Sequence, residues 1–165
     1  MAPQSKTLGA IVINITRTTD FELIVRLNKP IHELHAFMYP QYFREYHFEA
    51  IRDSFKKLVK DNSFVFLLLE DENESFGYAW VELRNYSETV FTKARQALFV
   101  HQISIVNDQK RRGHGTELIK HIYDIAREQG IETVELDFCA NNEVAKNFYS
   151  KQGFSGYREF VCKRV

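Results

Sequence analysis

Three features of the sequence point to an α/β (α+β) domain, a mixed central sheet of about six to seven strands flanked by about four helices. Short segments rich in β-branched and aromatic residues take turns with longer ones whose apolar side chains recur at helical spacing. The polar run Glu70-Asp71-Glu72-Asn73-Glu74 separates two apolar runs, as a hairpin loop does. A turn containing Gly113 and Gly115 leads from a strand-like segment into a strongly amphipathic one, which starts a crossover to a parallel strand. No repeat, low-complexity tract or linker-like run divides the 165 residues, so a single domain over residues 1–165 is expected.

Ile11 to Thr16 alternates and reads as a first strand, after which the Asp20 carboxylate is placed to cap a helix over Phe21 to Leu27. Pro30 is expected to break that helix, because proline has no N–H and its ring meets the carbonyl four residues back. A second short helix then runs from Ile31 to Met38, ahead of Tyr39-Pro40. Phe48, Ile51, Phe55 and Leu58 share one face of another helix. The apolar run Phe64 to Leu69 reads as a buried strand, Phe76 to Leu83 as its return, and Leu98 to Val106 as the next strand. Past the glycine turn, Leu118, Ile119, Ile122, Tyr123, Ile125 and Ala126 line one face of a helix that Gly130 stops. Thr133 to Phe138 is again strand-like, Glu143 to Ser150 a short helix, and Gly153 to Lys163 a final strand pair or hairpin.

Composition narrows the functional classes. Apolar residues make up 44% and aromatics 14%, which suits a packed core and argues against disorder. Lys+Arg and Asp+Glu balance at 22 each, so no dedicated nucleic-acid surface is expected. Two cysteines, Cys139 and Cys162, do not make a disulfide framework, and a reducing, cytoplasmic compartment fits them. No leader-like N-terminus or long apolar stretch occurs, so neither export nor membrane insertion is expected. His32 and His35 lie three apart on a helical segment, but no cysteine or carboxylate set completes a site, so no metal is expected.

Lys110-Arg111-Arg112-Gly113-His114-Gly115-Thr116 is the segment that carries chemistry. Glycines let a ligand approach the backbone, and the first turn of the following helix leaves amides without intrahelical acceptors. Helix dipole and basic triplet add positive potential, so a diphosphate is held by both shape and charge. Neither common nucleotide fingerprint fits, since no Gly-x-x-x-x-Gly-Lys-Ser/Thr occurs and Leu118 stands where Gly-x-Gly-x-x-Gly needs its third glycine.

The segment resembles motif A of the GNAT superfamily of N-acetyltransferases, Gln/Arg-x-x-Gly-x-Gly/Ala, with Lys110 first, Gly113 fourth and Gly115 sixth. Lysine at the first position keeps arginine's charge and loses its planar fork. Asn142-Glu143-Val144-Ala145-Lys146-Asn147-Phe148-Tyr149, followed by Gly153-Phe154, resembles the family's Asn-x-x-Ala-x-x-Phe-Tyr…Gly-Phe segment, in the family's order. With Ile103-Ser104-Ile105 upstream, the likeness covers roughly residues 10 to 165. It implies acetyl-CoA as cosubstrate, a splay between the fourth and fifth strands for its pantetheine arm, and an amine acceptor, small molecule or protein.

The same resemblance implies roles. Main-chain groups around Ile103, Ser104 and Ile105 would place the thioester; Lys110, Arg111, Arg112, Gly113, His114, Gly115 and Thr116 would hold the diphosphate. Asn142, Ala145, Phe148 and Tyr149 would flank the coenzyme, and Tyr149 would also serve as catalytic proton donor to the thiolate. For the base that takes the amine proton, Glu82 and His101 are the candidates, with Gln102 and Ser104 beside them. Strict alternation would put His101 on one strand face with Ile103 and Ile105, opposite Gln102 and Ser104. The aromatic group Phe37, Tyr39, Tyr42, Phe43 and Tyr46 would help form the acceptor wall. A non-catalytic acyl-CoA-binding sensor of the same fold is the alternative, and a homodimer through the aromatic first half and the C-terminal strands is possible.

Overall fold

The computed structural model describes residues 12–72 and 74–165, so Ile11 of the expected first strand and Asn73 of the hairpin loop lie outside the described residues. In chain order the elements are β1 (Asn14–Arg17), α1 (Phe21–Met38), α2 (Phe48–Leu58), β2 (Phe64–Glu70), β3 (Ser75–Tyr86), β4 (Arg95–Ile105), α3 (His114–Glu128), β5 (Val134–Leu136) and α4 (Glu143–Lys151), with a short 3-10 turn at Asn107–Gln109. The strands follow one another across the sheet in order β1-β2-β3-β4-β5. The first four are antiparallel, and β5 joins β4 in parallel after the α3 crossover.

Alternation sorts the side chains of the sheet into two apolar layers. Leu67, Leu69, Ala79, Val81, Leu98 and Val100 pack under α3, whose Leu118, Ile119 and Ile122 are fully buried. Phe66, Leu68 and Tyr78 pack on the other side against Ile24, Val25 and Leu27 of α1 and Phe55 of α2. Each fully buried side chain of this size contributes about 1.5–3 kcal/mol, so the two layers anchor the helices to opposite faces.

Pro30 does not end the first helix: α1 continues through it to Met38, in place of two short helices. The carbonyls on either side of the one that proline leaves without a donor are taken up by side chains. The Tyr46 hydroxyl donates to the Val25 carbonyl at 2.8 Å and the buried Ser104 hydroxyl to the Leu27 carbonyl at 2.9 Å. Asp20 caps this helix as expected, accepting from the Leu23 amide.

The sheet has five strands among the described residues, not six to seven, because Gly153 to Lys163 forms no strand. Beyond α4 the segment runs exposed, with Phe160 at 94% and Val161 at 81% of full accessibility, and lacks the ladder partner that a strand needs. β5 is likewise shorter than its strand-like sequence, because pairing with β4 stops at Val100–Leu136.

Candidate active site

The end of the β4–β5 ladder positions everything else. Leu98, Phe99 and Val100 pair with Val134, Glu135 and Leu136, and past that point β4 continues to Ile105 with its β5-side edge unpaired among the described residues. A backbone edge inside a fold needs hydrogen-bond partners, so this stretch is built to receive something that supplies them. At its far end the chain turns through the 3-10 turn into α3.

That turn is a concave array of amides. Arg111 adopts φ 64° and Gly113 φ 87°, both left-handed, and such bends aim successive N–H groups inward. A Cβ on Gly113 would meet no atom within 4 Å, so the glycine is there for its backbone angle. Glu117 N–H is the first in α3 to find a helical acceptor, the Gly113 carbonyl at 3.1 Å, which leaves the amides of His114, Gly115 and Thr116 at the open end. Arg111 and Arg112 are exposed beside them, and Lys110 Nζ donates to Asn107 Oδ1 at 2.8 Å, tying the turn together. This donor set fits a diphosphate.

Gly115 has a different use. Its absent Cβ would lie 3.0 Å from Phe148 Cζ, so this glycine makes room for the ring and locks α4 against the start of α3. Gln152 Nε2 donates to Thr116 Oγ1 at 2.9 Å, a second tie between the two helices. His114 packs its ring on Phe76, centroids 5.0 Å apart. Asn142 caps α4, its side chain accepting from the Ala145 amide at 3.0 Å.

Tyr149 of α4 sits among Phe138, Phe148 and Phe154. Burial, aided by the Asp137 charge, pushes its hydroxyl up to about 12, so it keeps its proton at every physiological pH. On the opposite face of the sheet Glu82 and His101 come together, with His101 Nε2 2.7 Å from Glu82 Oε2. Arg84 Nε donates to the same carboxylate at 2.7 Å. Burial alone would raise Glu82, but the hydrogen bonds from Arg84 and His101 outweigh it and hold the carboxyl below its usual range. His101 stacks on Trp80 at 4.3 Å, and burial lowers its pKa although Glu82 pulls the other way. The result is a neutral imidazole backed by an anion.

The expected faces of β4 need correction. Trp80 pairs with Gln102 and Val81 with Val100, so His101 is an extra residue, a β-bulge. His101 and Gln102 therefore point to the same side: His101 reaches Trp80 and Glu82, Gln102 meets Asn28 Nδ2 at 2.7 Å and also Tyr78, and Ser104 reaches α1. Ile103 and Ile105 face the α3 layer alone. Glu82, His101, Gln102 and Ser104 share one face after all, though Gln102 and Ser104 spend their side chains on buried internal bonds.

Asp137 escaped the sequence reading. It follows β5 directly, at the place where the ladder stops. The aromatic group is split: the Tyr39 hydroxyl accepts from the Asn141 amide at 3.2 Å, joining the end of α1 to the loop after β5, whereas Phe37 and Tyr42 are exposed. His32 Nε2 lies 2.8 Å from the Arg44 carbonyl and His35 packs on Phe43. Among the described residues no group of three or more His, Cys, Asp or Glu side chains gathers as a metal site would need.

The sequence model of the acetyltransferase (GNAT) family matches residues 28–154. No curated protein matches the sequence. Among solved structures, the tetramutant of the BH1408 protein from Bacillus halodurans superposes with a TM-score of 0.85 at 20% identity over 94% of this chain and 100% of its own. The aminoglycoside N-acetyltransferase AAC(6')-Iy, solved with CoA, gives 0.71 at 12% identity over 100% and 99%. The aminoglycoside acetyltransferase meta-AAC0020, from an uncultured soil metagenomic sample, gives 0.65 at 19% over 93% and 95%. At these identities the likeness is one of fold.

Proposed function

The chain belongs to the acetyltransferase (GNAT) family, and from that membership we propose that it moves an acetyl group from acetyl-CoA directly to a primary amine in a ternary complex. The observation that carries this reading is the edge of β4 from His101 to Ile105, unpaired among the described residues, running into the amide-lined turn at Arg111–Thr116. Main-chain groups of Ile103, Ser104 and Ile105 supply the hydrogen bonds that a pantetheine arm lacks, and Lys110, Arg111, Arg112 and the amides up to Thr116 take the diphosphate. Asn142, Ala145 and Phe148 flank the coenzyme on α4.

The amine attacks the thioester carbon as a neutral nucleophile and gives one proton to His101, whose Nε2–H is directed at Glu82 so that Nδ1 is the base. Collapse of the tetrahedral intermediate breaks the C–S bond, and the departing sulfur meets the Tyr149 hydroxyl, which presents its proton. Solvent carries the proton from His101 back to the Tyr149 phenolate, leaving an N-acetyl amine, the free thiol and both side chains as they began. Glu82, lowered and bound to Arg84, orients and charges this base and does not itself titrate near neutrality.

Calorimetric titration of acetyl-CoA, with thermal stabilisation as a second readout, tests the reading: binding of neither kind would end it. Thiol release across a panel of amines then separates transfer from mere binding by a sensor. Aminoglycosides belong in that panel, since two structural neighbours are named for them. No helix among the described residues is long and apolar enough to cross a membrane. We place the protein in the cytoplasm, acting without nucleic acid, where Cys139 and Cys162 stay as thiols. A homodimer is proposed too, through the exposed Tyr157, Phe160 and Val161; sedimentation equilibrium giving only a monomer mass would dismiss it.

A further inference from the structure

Asp137 directly follows β5, at the point where β5 and β4 part. On β5, Val134 and Leu136 pack into the α3 layer, while Glu135 takes the Tyr86 hydroxyl and Arg95 on the opposite face. Asp137 is the first residue past β5, and the alternation carried one step further would set it on the Glu135 face, which is also the face of His101. Because the ladder ends at Val100–Leu136, the next position on β4 is His101 itself, across the gap where the strands part.

The carboxylates around it are already answered. Glu82 has Arg84 and His101, and Glu135 has Arg95 and Tyr86. Asp137 is exposed and has neither a hydrogen bond nor an ion pair among the described residues. Its charge is felt at His35 on α1, His101 on β4, Tyr149 on α4 and Cys139 on the following loop, so it is ringed by the elements that enclose the cleft. None of those groups is a cation at neutral pH, since burial lowers both histidines and raises the tyrosine and the thiol. One negative charge is left at the mouth of the gap.

An amine cannot use that charge and attack with the same nitrogen, because a carboxylate beside an ammonium favours the protonated, non-nucleophilic form. The two roles fall to two nitrogens. We propose that Asp137 anchors an ammonium group of the acceptor, and that the preferred acceptor carries at least two amino groups a few bonds apart, one attacking beside His101 and the other paired with Asp137. The proposal rests on the acetyl-transfer reading of the site and names its substrate class: short diamines and larger polyamines.

The test compares 1,3-diaminopropane with propylamine, by calorimetry and by kcat/KM, on the full chain and on Asp137→Asn and Asp137→Glu. The diamine should be preferred by roughly fivefold, the order an accessible ion pair supplies. Asp137→Asn should bring the ratio near one, Asp137→Glu should restore part of it, and added salt should erode it in the parent protein. A parent protein with no preference or no measurable diamine binding overturns the proposal, and so does an Asp137→Asn protein that keeps the preference. If the binding preference is present and neither amine is acetylated, the transfer reading fails while the anchor stands.

Discussion

At the scale of single residues the proposed chemistry divides labour between two groups on opposite faces of the sheet, His101 to receive a proton and Tyr149 to present one. Replacing His101 by Gln should lower kcat by about a hundredfold or more, the usual range for losing a positioned base. Glu82→Gln removes the partner that raises His101, so the acid limb of the kcat/KM–pH profile should move to lower pH, while the maximal rate falls as the ring loses its orienter. A profile that stays put would show that Glu82 does not act through His101. Tyr149→Phe should depress kcat more than acetyl-CoA affinity, read by single-turnover kinetics against calorimetry. Arg84, two places along β3, was within reach of the sequence reading as the partner that holds Glu82 as an anion; the meeting of His101 with that carboxylate was not, because it depends on the bulge in β4.

Among elements, the two motif glycines serve different ends, and substitutions should separate them. Gly113→Val forces a β-branched residue to φ 87°, at a cost of about 1–3 kcal/mol, and should weaken acetyl-CoA binding because the amide array is distorted. Gly115→Ala drives a methyl into the Phe148 ring and should cost about 1–3 kcal/mol of stability by overpacking, measured by urea denaturation. Spacing alone marked both as ligand glycines, since nothing in a motif shows which ring a missing Cβ accommodates. Strand positions, the α3 face and the Asp20 cap were legible, because periodicity and cap chemistry are local. Passage of α1 through Pro30 was not, since it depends on Ser104 and Tyr46, distant in the chain.

For the molecule as a whole, the sheet is a partition with a gap: the amide-lined turn opens α3 on one side, His101 lies on the α1 side, and β4 and β5 part between them. Both His35 and His101 are lowered on folding, chiefly by burial, so the folded chain binds fewer protons than the unfolded one. Their contribution to stability is complete above about pH 6.5 and is lost as pH falls below it. Urea midpoints across that window should drop toward acid, less steeply once His35 or His101 is replaced by Gln. Sequence patterning overcounted the strands at the C-terminal end, where Gly153 to Lys163 reads as strand but has no ladder partner among the described residues. The bulge has a consequence for how such a site can change over generations. Take His101 out, and Val100, Gln102 and Ile103 would still fall on alternate sides, so the register of the sheet does not depend on which residue occupies the extra position. A library of every amino acid there should therefore yield mostly well-folded proteins, free to trade one chemistry for another.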